Sequence, residues 1–129
     1  MPLVLGLLEA LEGEFSIDAS RVYVAGQSMG GIGTWSYIIA RPDLFAAAIP
    51  LCGAGDASRA AVIAKIPIWA FHGADDPTIP VKESRTMIAA IKQAGGNPRY
   101  TEYPGVGHEV WLKAFQEKGL VEWLFAQHK

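Results

Sequence analysis

The sequence predicts an α/β fold built on a mainly parallel sheet, and three observations carry that prediction. Short runs of β-branched and aromatic residues alternate with stretches of helical periodicity, the pattern left by parallel strands joined through covering helices. One such strand, residues 22–25, runs straight into Gly26-Gln-Ser-Met-Gly30, which fits G-x-S-x-G, and then into a helix-like segment. Finally, residues able to do chemistry stand just past strand ends, where an open parallel sheet gathers its functional groups.

The elements follow in order. Leu3, Val4, Leu7, Leu8 and Leu11 fall on one helical stripe, with Glu9 and Glu12 off it and Gly13 as a stop. Residues 17–21 form a turn into the first strand, 22–25, which reads as buried. Residues 29–41 form the next helix, ended by Pro42-Asp43. Its glycine-rich first turn is a poor helix former, which points to close packing against the sheet. A second buried strand covers residues 46–50, a loop follows from Cys52, and a short helix spans 58–65. The third strand covers 66–71. A long amphipathic helix spans 81–94 with Met87, Ile88 and Ile91 inward, and Gly95-Gly96 stops it. Residues 99–103 alternate like a fourth strand, and the tail from Trp111 holds one helix or two.

Composition narrows the function. The 129 residues suffice for one core, so a single domain over 1–129 is expected. Half of the residues are hydrophobic and 19% are charged, which fits a globular chain. A net charge of −2 without like-charge blocks gives nucleic acid and anionic membranes no purchase. No apolar run approaches the roughly 20 residues of a membrane span. The apolar start lacks a basic region and a cleavage site, so no signal peptide is expected and the cytoplasm is the default compartment. A lone Cys52 rules out an internal disulfide framework and fits a small buried residue. The three histidines have no cysteine partners at ligand spacing, and no phosphate-binding glycine loop is present, so neither a metal nor a cofactor is expected.

The strand ends supply a complete set for nucleophilic catalysis. Ser28 follows the first strand, Asp75 and Asp76 the third, and His108 the fourth. A serine hydroxyl is a weak nucleophile that needs an imidazole to take its proton. The imidazole in turn needs a carboxylate to fix its tautomer and stabilise its charged form. Either aspartate can serve on this reading, and Asp76-Pro77 is also an ordinary turn starter. His72 reads as a structural ring that fixes the turn aiming Asp76. His128 reads as a solvated tail residue, and Trp35 and Trp123 as packing residues. Trp111, three residues past His108, is a candidate for lining the substrate pocket, and Gln27, beside the serine, is another.

Four segments carry a resemblance: Gly26-Gln-Ser-Met-Gly-Gly-Ile-Gly-Thr-Trp35, residues 41–50, Pro67-Ile-Trp-Ala-Phe-His-Gly-Ala-Asp-Asp-Pro77 and residues 100–111. Over nearly its whole length the chain resembles an α/β-hydrolase of the branch that includes polyhydroxybutyrate-depolymerase-like enzymes, feruloyl-esterase-like enzymes and predicted peptidases. The resemblance implies a truncated α/β-hydrolase fold with about four strands and helices on both faces. It selects Asp76 as the acid, matches His108 to the general base, and gives the backbone N–H of Met29 to the oxyanion hole.

Members of this family normally place about four strands and a helix before the segment with which this chain starts. Their second oxyanion donor comes from a loop in that part, so the resemblance implies weak activity here. It also implies that the strand at Val22-Ala25 is an unpaired apolar edge, and hence that the chain forms a homo-oligomer, a dimer first of all. The expected activity is a serine carboxylesterase acting on a small ester of short acyl chain. A non-catalytic binding module, and a peptidase or C–C hydrolase using the same residues, remain open.

Overall fold

The computed structural model describes residues 1–129. Its core is a four-stranded parallel sheet in the order β1 (Tyr23–Gln27), β2 (Ala47–Leu51), β3 (Trp69–Gly73), β4 (Arg99–Tyr103). Between them run α2 (Met29–Ala40), α3 (Ala60–Ile63) and α4 (Lys82–Gln93). Each crossover steps the same way across the sheet. Right-handed connections therefore put all three helices on one face. Helix α1 (Pro2–Glu14) joins that face through Leu5 and Leu8, and α5 (Trp111–Ala114) and α6 (Leu120–Phe125) cover the other.

The two-residue period of the strands sorts the core into two layers. Ala48, Ile68 and Ala70 face Trp35, Ile38, Ile63 and Met87 on the helical side. Ile49, Leu51, Trp69 and Phe71 face Val110, Ala114 and Leu120. Met87, Ile88 and Ile91 are buried, as the amphipathic pattern of α4 predicts.

Several boundaries differ from the sequence reading, each for a local reason. The first strand runs to Gln27 because Gly26 and Gln27 pair with Pro50 and Leu51. It is half-buried to exposed where a buried strand was expected, since β2 is its only partner. The third strand starts three residues late. Ile66 N–H turns back to Ile63 O and Pro67 has no N–H, while the strand continues through His72 and Gly73, which pair with Glu102 and Tyr103. The segment 58–65 is a 3-10 turn capped by Asp56 followed by α3. The tail is two helices, and Gly119 at φ 83 divides them.

Pro50 lies inside the sheet, where proline is unusual. Ala48 N–H donates to Pro67 O at 3.0 Å and Cys52 N–H to Phe71 O at 2.9 Å. The donor midway between them would be residue 50, and it has none. The β2–β3 ladder accordingly thins to Leu51↔Phe71 and a bridge at Ala48↔Ile68.

On the helical side of β4, Arg85 grips Glu102 with two bonds of 2.8 and 2.7 Å, and Tyr100 donates to the same carboxylate at 2.7 Å. The Arg85 hydrogen bonds, above all, hold the Glu102 carboxyl down at about 2, against the opposing effect of burial. A folded value below the unfolded one stabilises the protein above pH 4.5, and that contribution disappears as pH falls towards about 2. Arg85 is more than half exposed, so solvent screening keeps the effect small. Thermal unfolding followed from pH 5 to about pH 2.5 is expected to show a steeper acid loss in the wild type than in Glu102→Gln.

Candidate active site

The site begins at the turn out of β1. Ser28 has φ 55 and ψ −115, a strained conformation for a residue with a Cβ, at the junction of strand and helix. Its N–H donates to Leu51 O at 3.0 Å and lies 3.3 Å from Cys52 Sγ, so the turn is pinned to the end of β2. A Cβ on Gly26 would lie 2.2 Å from Gly30 O. The first glycine of the motif is therefore required by space. The second is not, because a Cβ on Gly30 would meet nothing within 4 Å. Close approaches also occur beside this turn at Gly31, where a Cβ would lie 2.2 Å from Leu51 O, and at Gly53 packed against it.

The loops after β3 and β4 are joined backbone to backbone. Ala74 N–H donates to Tyr103 O and Asp75 N–H to Val106 O, both at 3.0 Å. Gly73 permits this contact, since a Cβ there would lie 2.2 Å from Gly107 O. The pairing fixes Asp76 relative to His108. Asp76 Oδ1 accepts from the N–H groups of Thr78 (2.8 Å) and Ile79 (2.9 Å), which leaves Oδ2 for His108 Nδ1 at 2.8 Å. His108 Nε2 lies 2.8 Å from Ser28 Oγ. Asp76 is buried and Asp75 is exposed, so of the two aspartates it is Asp76 that meets the histidine.

Burial is the largest single influence on the Asp76 carboxyl and would raise its pKa. The hydrogen bond from His108, the two backbone N–H groups and the His108 charge together outweigh it and hold the group below the usual 3.8. Asp76 is thus an acceptor at neutral pH, which requires the proton on His108 Nδ1. In a neutral imidazole that leaves Nε2 free to accept from the Ser28 hydroxyl. Cys52 has the opposite behaviour: burial pushes its thiol up to about 11.

The remaining sequence candidates divide. Met29 is the first residue of α2, its N–H finds no acceptor within the chain, and it is 83% exposed. The Trp111 ring stands edge-on to His108 with centroids 5.8 Å apart. Gln27 is exposed at the end of β1 and His128 is exposed in the tail. Trp35 is core. His72 is fully buried, with Nδ1 on Ser84 Oγ and Nε2 on Ile79 O.

Sequence reasoning missed Cys52 as a neighbour of the serine. Its Sγ, an Asp76 oxygen and a His108 nitrogen lie within 4.8 Å of one another. A metal ion there would have to displace the Asp76–His108 hydrogen bond. Nothing in the sequence around Cys52 signals this position, because the φ of 40 that aims its side chain arises at the end of β2. Ser84 was missed too, being a small polar residue on a helix whose pattern speaks only for its apolar face.

Four parallel strands, helices on both faces and a serine at a strand–helix turn define a truncated α/β-hydrolase fold. Within that class the chain belongs to the phospholipase/carboxylesterase family, whose model matches residues 6–118. It is 28% identical over 114 residues to an Arabidopsis thaliana protein named "Probable carboxylesterase SOBER1-like", covering 84% of this chain and 43% of that one. Among solved structures, a thermostable esterase is 42% identical with a TM-score of 0.96, over 98% of this chain and 36% of that one. Arabidopsis thaliana SOBER1, at 22% identity and a TM-score of 0.78, shares the fold over 95% of this chain and 60% of its own. The chain thus spans less than half the length of the curated carboxylesterase and of the thermostable esterase. No helix in it is long and apolar enough to cross a membrane.

Proposed function

We propose that this chain is a serine carboxylesterase unit that hydrolyses short-chain carboxylic esters through an acyl-enzyme. The observation that carries the reading is the unbroken line Ser28 Oγ–His108 Nε2 and His108 Nδ1–Asp76 Oδ2, each link 2.8 Å. Ser28 Oγ attacks the acyl carbon as His108 Nε2 takes its proton, and Asp76 stabilises the imidazolium. His108 then returns the proton to the alcohol oxygen as the C–O bond breaks. A water molecule, deprotonated by the same nitrogen, releases the acid. The Met29 N–H donates to the oxyanion at the positive end of α2.

Membership of the branch of polyhydroxybutyrate-depolymerase-like enzymes, feruloyl-esterase-like enzymes and predicted peptidases is part of this proposal, supported by the motif residues from Gly26 to Trp35. The preference for small esters rests on the openness of the site. The chain has cavities of about 450, 250 and 270 Å³, and Ser28 lines none of them. A long acyl chain therefore has no slot to fill.

The edge of the sheet supports self-association. β1 pairs with β2 alone, and a groove beside it is lined only by apolar side chains, among them Val4, Leu8, Leu11, Val24 and Tyr37. Leu3 and Leu7 on α1 are exposed. A two-fold dimer that joins the two β1 edges satisfies the free backbone groups and covers this surface.

Hydrolysis of p-nitrophenyl acetate and butyrate, with fluorophosphonate labelling of Ser28, tests the activity. Turnover with stoichiometric labelling is the expected result, and an unlabelled, inactive chain would put the binding-module reading in its place. Light scattering on the eluting species is expected to give twice the 13.9 kDa chain mass; a monomer at micromolar concentration contradicts the dimer.

A further inference from the structure

Asp76 has a second histidine on the oxygen that it offers to His108. His72 Nε2 lies 3.2 Å from Asp76 Oδ2 and 2.8 Å from Ile79 O. Both of these neighbours are acceptors at neutral pH, so Nε2 must carry a proton. The other ring nitrogen of a neutral imidazole is then an acceptor, and the group facing it, Ser84 Oγ at 2.7 Å, must donate. His72 and Ser84 are both closed off from solvent.

We propose that His72, its tautomer fixed by the Ser84 hydroxyl, is a positioning residue for Asp76 that keeps Oδ2 in line with His108 Nδ1. The inference rests on the catalytic reading of Ser28, Asp76 and His108 given above. The ring acts in two ways. Its shorter bond, to Ile79 O, anchors the segment whose own N–H groups, Thr78 and Ile79, hold Asp76 Oδ1. The longer approach places a proton beside Oδ2, which opposes rotation of that oxygen away from His108. With the proton on Nδ1 instead, a lone pair would face the carboxylate and push it out of line.

Other ionisable groups stand nearby. Glu102, the register partner of His72 on β4, is already held by Arg85 of α4 and by Tyr100. Cys52, at the end of β2, keeps its proton to about 11. Over the working range of a histidine-based enzyme both keep one charge state, so their charges do not move the profile.

The test compares Ser84→Ala, Ser84→Thr and His72→Gln, with rates normalised to the fraction of Ser28 labelled by fluorophosphonate. Ser84→Ala releases the tautomer and is expected to lower kcat about tenfold with KM within about twofold, since misalignment of a catalytic group falls on the chemical step. The acidic limb of its kcat/KM profile is expected to move to lower pH, because a poorly aligned Asp76 stabilises the His108 imidazolium less. Ser84→Thr retains the hydroxyl and restores both values, and His72→Gln behaves like Ser84→Ala. Wild-type kcat and limb position in Ser84→Ala would overturn the proposal, as would a fall that Ser84→Thr leaves uncorrected.

Nitrogen-15 NMR of the unaltered chain gives a reading that depends on neither activity nor the folding of a variant. His72 is expected as the Nε2–H tautomer with Nδ1 accepting, and an Nδ1–H tautomer would refute the inference. An unlabelled Ser28 beside the expected tautomer would count against the esterase reading alone.

Discussion

Ser28→Ala is expected to remove ester hydrolysis and fluorophosphonate labelling while leaving the fold in place. In enzymes of this chemistry, loss of the nucleophile costs about 10⁶-fold in kcat. The fall expected in Ser28→Ala is accordingly up to about 10⁶-fold. Stability should barely move. The hydroxyl makes one hydrogen bond, to half-buried His108, while the N–H that pins the turn to Leu51 O belongs to the backbone and survives. Rates for Ser28→Ala and wild type on p-nitrophenyl butyrate, with melting temperatures for both, check the expectation. Equal rates would mean that the 2.8 Å contact to His108 is idle.

The sequence was legible wherever a physical requirement is local. The alternation of strands and helices shows in hydrophobic periodicity because each element buries its own face. The motif around Ser28 shows because a strand–turn–helix junction needs Gly26 where it stands. Residues 28, 76 and 108 were legible as strand-end residues, and the folded chain brings all three together. Non-local requirements stayed hidden. The late start of β3 depends on Ile66 turning back to Ile63 O, a contact invisible in the apolar run Ile66-Pro-Ile-Trp. The gap that Pro50 opens in the β2–β3 ladder depends on which neighbour its nitrogen faces. Ser84 and Cys52 act across the fold, on partners 12 and 24 residues away, and neither residue type announces such a role.

The two adjacent glycines at the start of α2 separate motif from mechanics, and they are expected to behave oppositely. A Cβ at position 31 would lie 2.2 Å from Leu51 O, 3.1 Å from Leu51 C and 3.2 Å from Gly53 Cα. All three are backbone atoms with no rotamer to yield. Relief requires α2 to lift from β2, and Leu51 O is also the acceptor of Ser28 N–H, so any shift disturbs the nucleophile. Gly31→Ala is expected to cost about 3 kcal/mol or more, at the upper end of overpacking. In a chain of this size that lowers the melting temperature by about 10 °C. At position 30 a methyl group meets open space on a helical backbone. Gly30→Ala should therefore gain about 0.4–1 kcal/mol by restricting the unfolded chain. Urea unfolding of both variants beside wild type makes the comparison. If Gly31→Ala proved as stable as wild type, the contact between α2 and the end of β2 would be looser than 2.2 Å implies. The same outcome would mean that the Ser28 turn is held by its hydrogen bonds alone.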